Sequence, residues 1–313
     1  MKILVTGSIA YDTIMVFPDR FRNHLLADQL HILNVCFLTP EMRREYGGTA
    51  GNIAYNLRLL GESPLVMATV GEDIDPYLAR LRDLGLGTGQ LKRIPGQFTA
   101  QGFITTDLDN NQITNFHPGA MNYSHQNRIT AELGATLAII GPDGKLGMQE
   151  HARQCAEHGI PFLFDPGQGL PMFTREELGE FLRLATYVAV NDYEGKLLEE
   201  RTGRRLDAIA RDVTALVYTR GADGSTILAG GQRHEIPCVE AESVVDPTGC
   251  GDAYRAGLLY GIARGWDWPT TGRLGSIMGS IKIAHRGGQN HAAARHEIEA
   301  RFKRAFNHSP WKG

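Results

Sequence analysis

The chain has 313 residues, 42% hydrophobic and 21% charged, with a formal net charge of −3 and a pI near 6.4. That composition fits a globular protein large enough for one big domain, or one domain with a small companion. No run of like charge marks a surface for nucleic acid or anionic lipid, and no apolar run is long enough to cross a bilayer, so neither partner is expected. Four scattered cysteines, Cys36, Cys155, Cys238 and Cys250, lack metal spacing and fit reduced thiols in a cytoplasm.

The first residues, Met1–Gly7, meet a glycine too early for a signal-peptide core and read as a buried first strand over Lys2–Thr6. Tyr11–Phe17 and His31–Leu38 follow as short strands with no helix to pair with. A helix over Asn52–Leu60, a strand over Leu65–Val70 and a helix over Asp75–Leu84 come next. Gly85-Leu-Gly87-Thr-Gly89 has the look of a dinucleotide fingerprint, but it follows a helix instead of a strand and reads as a helix stop. Ala100–Thr106 and Gln112–His117 form a second pair of short strands, with Asp109-Asn110-Asn111 as the turn.

Further on, buried strands over Leu137–Ile140, Pro161–Phe164, Tyr187–Val190 and Ala215–Thr219 alternate with helices over Gly147–Glu157, Glu176–Leu184 and Tyr193–Arg201. That alternation predicts an α/β fold with a central, mainly parallel sheet covered by helices on both faces. The helix-free strands are expected to form a small β lid, inserted at about 11–45 and 97–120 in one domain spanning 1–313.

The most informative segment is Asp246-Pro-Thr-Gly-Cys-Gly-Asp252, which runs into a helical pattern over Ala253–Arg264. Gly249, Cys250 and Gly251 would present backbone N–H groups at a helix N-terminus, where anions are favoured. Asp252 beside such a site repels anions, yet it makes sense as the base that deprotonates a hydroxyl attacking a bound phosphoryl group. The blander alternative is a helix cap with an acidic first turn. There is no Gly-x-x-x-x-Gly-Lys-Ser/Thr, so phosphate binding of the P-loop kind is excluded. His285, His291 and His296 have Arg286 and Arg295 nearby and no supporting Cys or carboxylate pair, so no histidine metal site is expected.

This segment resembles the C-terminal signature of the ribokinase family of sugar and nucleoside kinases. Gly47-Gly48-Thr-Ala-Gly51-Asn52-Ile-Ala-Tyr-Asn56-Leu is similar to the family's N-terminal signature. The N-terminal third, with Gly7-Ser8-Ile-Ala-Tyr-Asp12 and Phe17-Pro-Asp-Arg-Phe21, looks most like the bacterial adenosine kinase branch. The resemblance covers nearly the whole chain. It implies a ribokinase-like fold whose lid closes over the phosphoryl acceptor and excludes water. It also implies ATP as donor, Mg²⁺, and in many members K⁺.

By this resemblance Asp12 grips the 2′- and 3′-hydroxyls of a ribose, as a carboxylate can, with Ser8 beside it and Gly48 and Asn52 completing the grip. Phe116 is the candidate for stacking on a base, although an aromatic on a lid strand could equally be lid core. Gln168 follows in Asp165-Pro166-Gly167-Gln168-Gly169, where the adenosine kinase branch tends to carry paired glutamines. That branch also tends to carry an aromatic where this chain has Gly102. Both departures point to a looser base slot, open to inosine or guanosine as well as adenosine.

On the donor side, Asn191-Asp-Tyr-Glu194 resembles the motif that organises Mg²⁺ and phosphate, with Glu194 acting mostly through water; it also reads as a capping box. Thr219, Arg220, Gly221 and Gly224 match the turn that takes the ATP phosphates and ribose, Arg220 being either a phosphate contact or a solvated turn residue. The Arg286–Asn290 loop, with Gly288 and Gln289, is expected to border adenine. A K⁺ is implied between that loop and the turn carrying Asp246 and Thr248.

The expected activity is phosphoryl transfer from MgATP to the 5′-hydroxyl of a purine nucleoside. The rivals are a sugar kinase of the same family, for ribose, fructose or a keto-deoxy sugar acid, and a non-catalytic nucleotide-binding protein. A monomer or a homodimer joined at a lid edge fits the sequence.

Overall fold

A computed structural model describes residues 1–25, 32, 34–109 and 111–311. Its strands in chain order are β1 (Ile3–Thr6), β2 (Ala10–Val16), β3 (Glu41–Gly47), β4 (Leu65–Val70), β5 (Leu91–Arg93), β6 (Ala100–Thr106) and β7 (Gln112–His117). They continue as β8 (Leu137–Ile140), β9 (Phe162–Phe164), β10 (Tyr187–Asn191), β11 (Ala215–Thr219), β12 (Ser225–Ala229) and β13 (Gln232–Ile236). The helices are α1 (Thr49–Leu59), α2 (Asp75–Asp83), α3 (Lys145–Glu157), α4 (Arg175–Leu184), α5 (Asp192–Thr202), α6 (Leu206–Ile209), α7 (Cys250–Ala263), α8 (Trp268–Lys282) and α9 (Arg295–Phe306).

A nine-stranded sheet runs in the order β13-β12-β11-β10-β9-β8-β1-β4-β5. It is parallel from β11 to β5, while β12 and β13 add an antiparallel edge. Its central strands are apolar on both faces because both are covered, whereas the edge strands β5 and β13 are polar. Ile3, Val5, Leu137, Ile139, Val217 and Ile227 face a core built with α1, α2, α7, α8 and α9. Leu4, Ala138, Ile140, Phe164, Val190 and Leu216 face a second core built with α3, α4 and α5. The period-two alternation of each strand thus divides one chain between two cores.

The four-stranded second sheet, order β3-β2-β6-β7, is the expected lid. One of its strands differs from expectation. Residues 34–38 carry no strand, and the partner of β2 is the charged segment Glu-Met-Arg-Arg-Glu-Tyr-Gly of β3. A half-exposed strand needs few apolar residues, so apolar patterning could not find it. His31 and Leu33 of the expected strand, and Asn110 of the expected turn, lie outside the described residues.

Register gives the lid its working face. Asp12 on β2 lies opposite Glu45 on β3 and Gly102 on β6, and Gly102 lies opposite Phe116 on β7. Directly opposed residues share a face, so Asp12 and Phe116 stand in one cross-strand row with only a glycine between them.

Candidate active site

The C-terminal ends of the parallel strands and the first turns of α1 and α7 converge at one edge of the large sheet. An open α/β sheet binds ligands at that edge. Gly249 caps α7 in the left-handed conformation, φ 78°, which a side chain would disfavour. The Cys250 N–H donates to Pro247 O at 3.1 Å, so it is committed to the turn and does not join the anion site as expected. The N–H groups of Gly249, Gly251 and Asp252 have no acceptor among the described residues. A Cβ built on Gly251 would meet nothing within 4 Å, leaving open space in front of those donors. An oxyanion could be bound there.

Asp252 sits in the first turn of α7. Its Oδ2 accepts a 2.8 Å hydrogen bond from Asn52 Nδ2, in the first turn of α1. Burial pushes its carboxyl up to about 7, against the Asn52 donor, and the neighbouring Asp165 adds to the rise. A base with that affinity for a proton suits neutral pH. One turn further along α7, Arg255 forms a buried ion pair with Asp165, Nε to Oδ2 3.1 Å. The same Asp165 and Arg255 flank Glu194, whose carboxyl is raised by burial first and by Asp165 second. Arg255 is the one charged residue in the small, apolar run Ala253–Ala263, which is the sequence's signal for a buried partner such as Asp165.

Asp12 has the opposite surroundings. Among the described residues its carboxylate accepts no hydrogen bond, and burial, with Glu45 and Asp246 nearby, raises it to about 6. Two glycines make room for it. A Cβ on Gly47 would lie 2.4 Å from Asp12 Oδ2, and one on Gly102 would lie 2.8 Å from Oδ1. The carboxylate is therefore held in place by backbone on both sides and left free to accept from a ligand. Phe116, in the same row, is 53% exposed. Gln168, on a short 3-10 segment after β9, is exposed too.

Several expected contacts are turned inward instead. The Ser8 hydroxyl accepts from Thr49 N at 3.1 Å and closes the start of α1, with Gly48 at φ 85° between them. Asn52 holds Asp252 with one end of its amide and accepts from Gln289 Nε2, at 3.1 Å, with the other. Both the Nδ2 and the Oδ1 of Asn52 are thus engaged within the protein. Gln289 is 1% exposed and also bonds Tyr77 at 2.5 Å, so its side chain faces the interior. Gly288 is buried as well, since a Cβ there would lie 2.4 Å from Asn52 Oδ1. The exposed members of that loop are Arg286 and Asn290, and Asn290 Nδ2 donates to Glu45 Oε2 on the lid at 2.6 Å.

The donor-side residues lie at the ends of β10 and β11. Asn191 and Glu194 form a reciprocal capping box at 2.7 and 2.8 Å. Thr219 ends β11, and the turn Gly221–Asp223 follows, with no atom within 4 Å of a Cβ on Gly221. Gly224 is there for space, since a Cβ would lie 2.2 Å from Ile236 O. Arg220 is engaged within the protein. It bonds Thr226 and, at 3.0 Å, Glu235 on the antiparallel edge.

The turn expected to border K⁺ is bonded within the protein. Asp246 Oδ1 and Oδ2 accept from Thr248 N at 2.9 Å and Gly287 N at 2.8 Å. The Asp246 carbonyl oxygen accepts from Lys282 Nζ at 2.7 Å. The donors around this turn are supplied by the protein itself.

A base poised beside free N–H donors, at the switch edge of a ribokinase-like sheet, defines a phosphotransferase that acts on a hydroxyl group. Residues 9–295 match the family described as pfkB family carbohydrate kinase, and the chain belongs to that family. It is 30% identical over 276 residues to the nucleoside kinase of Methanocaldococcus jannaschii, spanning 87% of this chain and 90% of that one. The structure of the Burkholderia thailandensis nucleoside kinase in complex with inosine superposes with a TM-score of 0.90 at 53% identity, covering 99% of this chain and 100% of that one. Ribokinase from Thermotoga maritima, at 19% identity and a TM-score of 0.80 over 97% of this chain and 99% of its own, shares the fold.

Proposed function

We propose that the protein transfers the γ-phosphoryl group of ATP to the 5′-hydroxyl of a purine nucleoside. The observation that carries this is the 53% identity, over almost the full chain, to a nucleoside kinase solved with inosine. A second structure of that relative is a complex with ADP-inosine, which supports ATP as donor.

The lid row supports a nucleoside over a free sugar. Asp12 accepts the two ribose hydroxyls, and Phe116 stands two strands away, roughly 10 Å at ordinary strand spacing. That span suits a ribose at one end and a base at the other. The ribose so held directs its 5′-oxygen at Asp252, which takes the proton as the oxygen attacks phosphorus. The free N–H groups of Gly249, Gly251 and Asp252 meet charge on the transferred group. Glu194 gives only Oε2 to its helix cap, so its remaining oxygen suits a water of a hydrated Mg²⁺. Such an ion would neutralise phosphate charge.

The slot is read as permissive toward purines. An aromatic at position 102 would displace Asp12 from its place, so the stacking there falls to Phe116 alone. The test is ADP release with MgATP against adenosine, inosine, guanosine, cytidine, ribose and fructose. Turnover on purine nucleosides within about a thousandfold of one another in kcat/KM is expected. Turnover on a free sugar alone would retain Asp252 and discard the base slot.

A further inference from the structure

We propose that the ε-ammonium of Lys282 serves as a built-in monovalent cation, tying the Asp246 turn to the loop after α8, so that this kinase needs no K⁺. Lys282 ends α8, a helix of small and apolar residues packed on α7, and it is 0% exposed. A lysine is rarely buried without compensating partners. Here Nζ donates to two backbone carbonyls from two loops, Asp246 O at 2.7 Å and His285 O at 2.9 Å.

Those two loops are the ones between which the family resemblance places K⁺. Backbone carbonyls that converge from separate loops suit a hydrated-shell substitute for K⁺, and they suit an ammonium equally well, since it carries the same charge and presents three donors. A second cation beside this ammonium would meet a like charge at close range. Each oxygen of the Asp246 carboxylate accepts a backbone N–H group, which ties the turn to the loop after α8 without any ion.

The helix end and the nearby acidic groups offset part of the cost of burying this charge. Nζ lies at the C-terminal end of α8, where the helix dipole attracts cations. Burial pushes the Lys282 ammonium below its ordinary value, and Asp246, Cys250 and Asp252 push it back. The consequence reaches the chemistry directly. The Asp246 turn leads into Gly249 and the free N–H groups of α7, while Gly287, bonded to Asp246, precedes the Gly288 backbone against Asn52. A fixed cation therefore holds the anion-binding turn and the partner of the base in register.

This inference rests on membership of the kinase family and not on the nucleoside proposal, so the readout is MgADP affinity measured by calorimetry, which needs no acceptor. In tetramethylammonium chloride and in KCl of equal ionic strength, the wild-type protein is expected to bind MgADP with affinities less than ~2-fold apart. A tightening of ~10-fold or more by K⁺ overturns the proposal. Lys282→Met keeps the apolar stem and removes the charge. It is expected to lose at least ~10-fold in MgADP affinity in tetramethylammonium, with recovery in KCl or ammonium chloride. Wild-type affinity of that variant in tetramethylammonium also overturns it. If Lys282→Met does not fold, as judged by circular dichroism, the wild-type comparison of the two salts decides.

Discussion

The two candidate carboxylates, one on helix α7 and one on the four-stranded sheet, are held in contrasting ways. Asp252, in the first turn of α7, is tethered by Asn52, which is itself held by Gln289. Asp12, on the lid, has no donor among the described residues and is merely given room by Gly47 and Gly102. The Asp252 carboxylate is bonded within the protein, whereas that of Asp12 is open to a ligand. That division lets the lid vary its choice of acceptor without disturbing the phosphoryl chemistry.

The contrast can be broken most forcefully at Asp252. Asp252→Asn is expected to lower kcat by at least ~10²-fold while acceptor affinity stays near wild type, measured by single-turnover rates and calorimetry. An active variant would remove Asp252 from proton transfer. Asp12→Ala should do the reverse. It should weaken acceptor affinity by ~10-fold or more, through lost charge-assisted hydrogen bonds, with a smaller effect on kcat. Unchanged affinity by calorimetry would end the ribose assignment.

The smallest effect is on stability, and its sign follows from the base's raised carboxyl. The folded protein holds the Asp252 proton up to about 7, against 3.8 ordinarily, so folding favours the protonated form. That contribution is present below about pH 4 and lost as pH rises through about 7. Asp252→Asn, which mimics the neutral form, should therefore melt a few degrees higher than wild type at pH 8, with the difference vanishing near pH 4. Equal melting curves at both pH values would mean that the charged carboxylate carries no burial cost.

Sequence patterning was informative where burial is two-sided and weak where it is not. Leu137–Ile140 and Ala215–Thr219 are continuous apolar runs because both faces of the sheet are covered, and the structure has strands at those residues. β3 is charged along its length, and no apolar period marks it. The β12–β13 hairpin carried its own sign in Gly230-Gly231, a two-residue turn with φ 57° and 75°, that an α/β alternation does not anticipate. α8 was hidden by its glycines. They serve close packing on α7, where a Cβ on Gly257 would lie 2.6 Å from Gly275 N, but they lower helix propensity.

At the site, the signature turn pointed to Asp252 and the start of the lid to Asp12. The inward turn of Ser8, Gly288 and Gln289 was not legible, since a motif says which residues gather and not which of them face the ligand. Lys282 was equally silent, because a lysine in a sequence gives no sign of being buried.

The tether on the base also bears on how the protein comes into being. Asn52 lies 200 residues before Asp252 and 237 before Gln289. Contacts so distant along the chain form late and slowly. During synthesis the ribosome must release nearly the whole polypeptide before base and tether can meet. A nascent or truncated chain that lacks α7 holds no assembled centre with which to waste ATP.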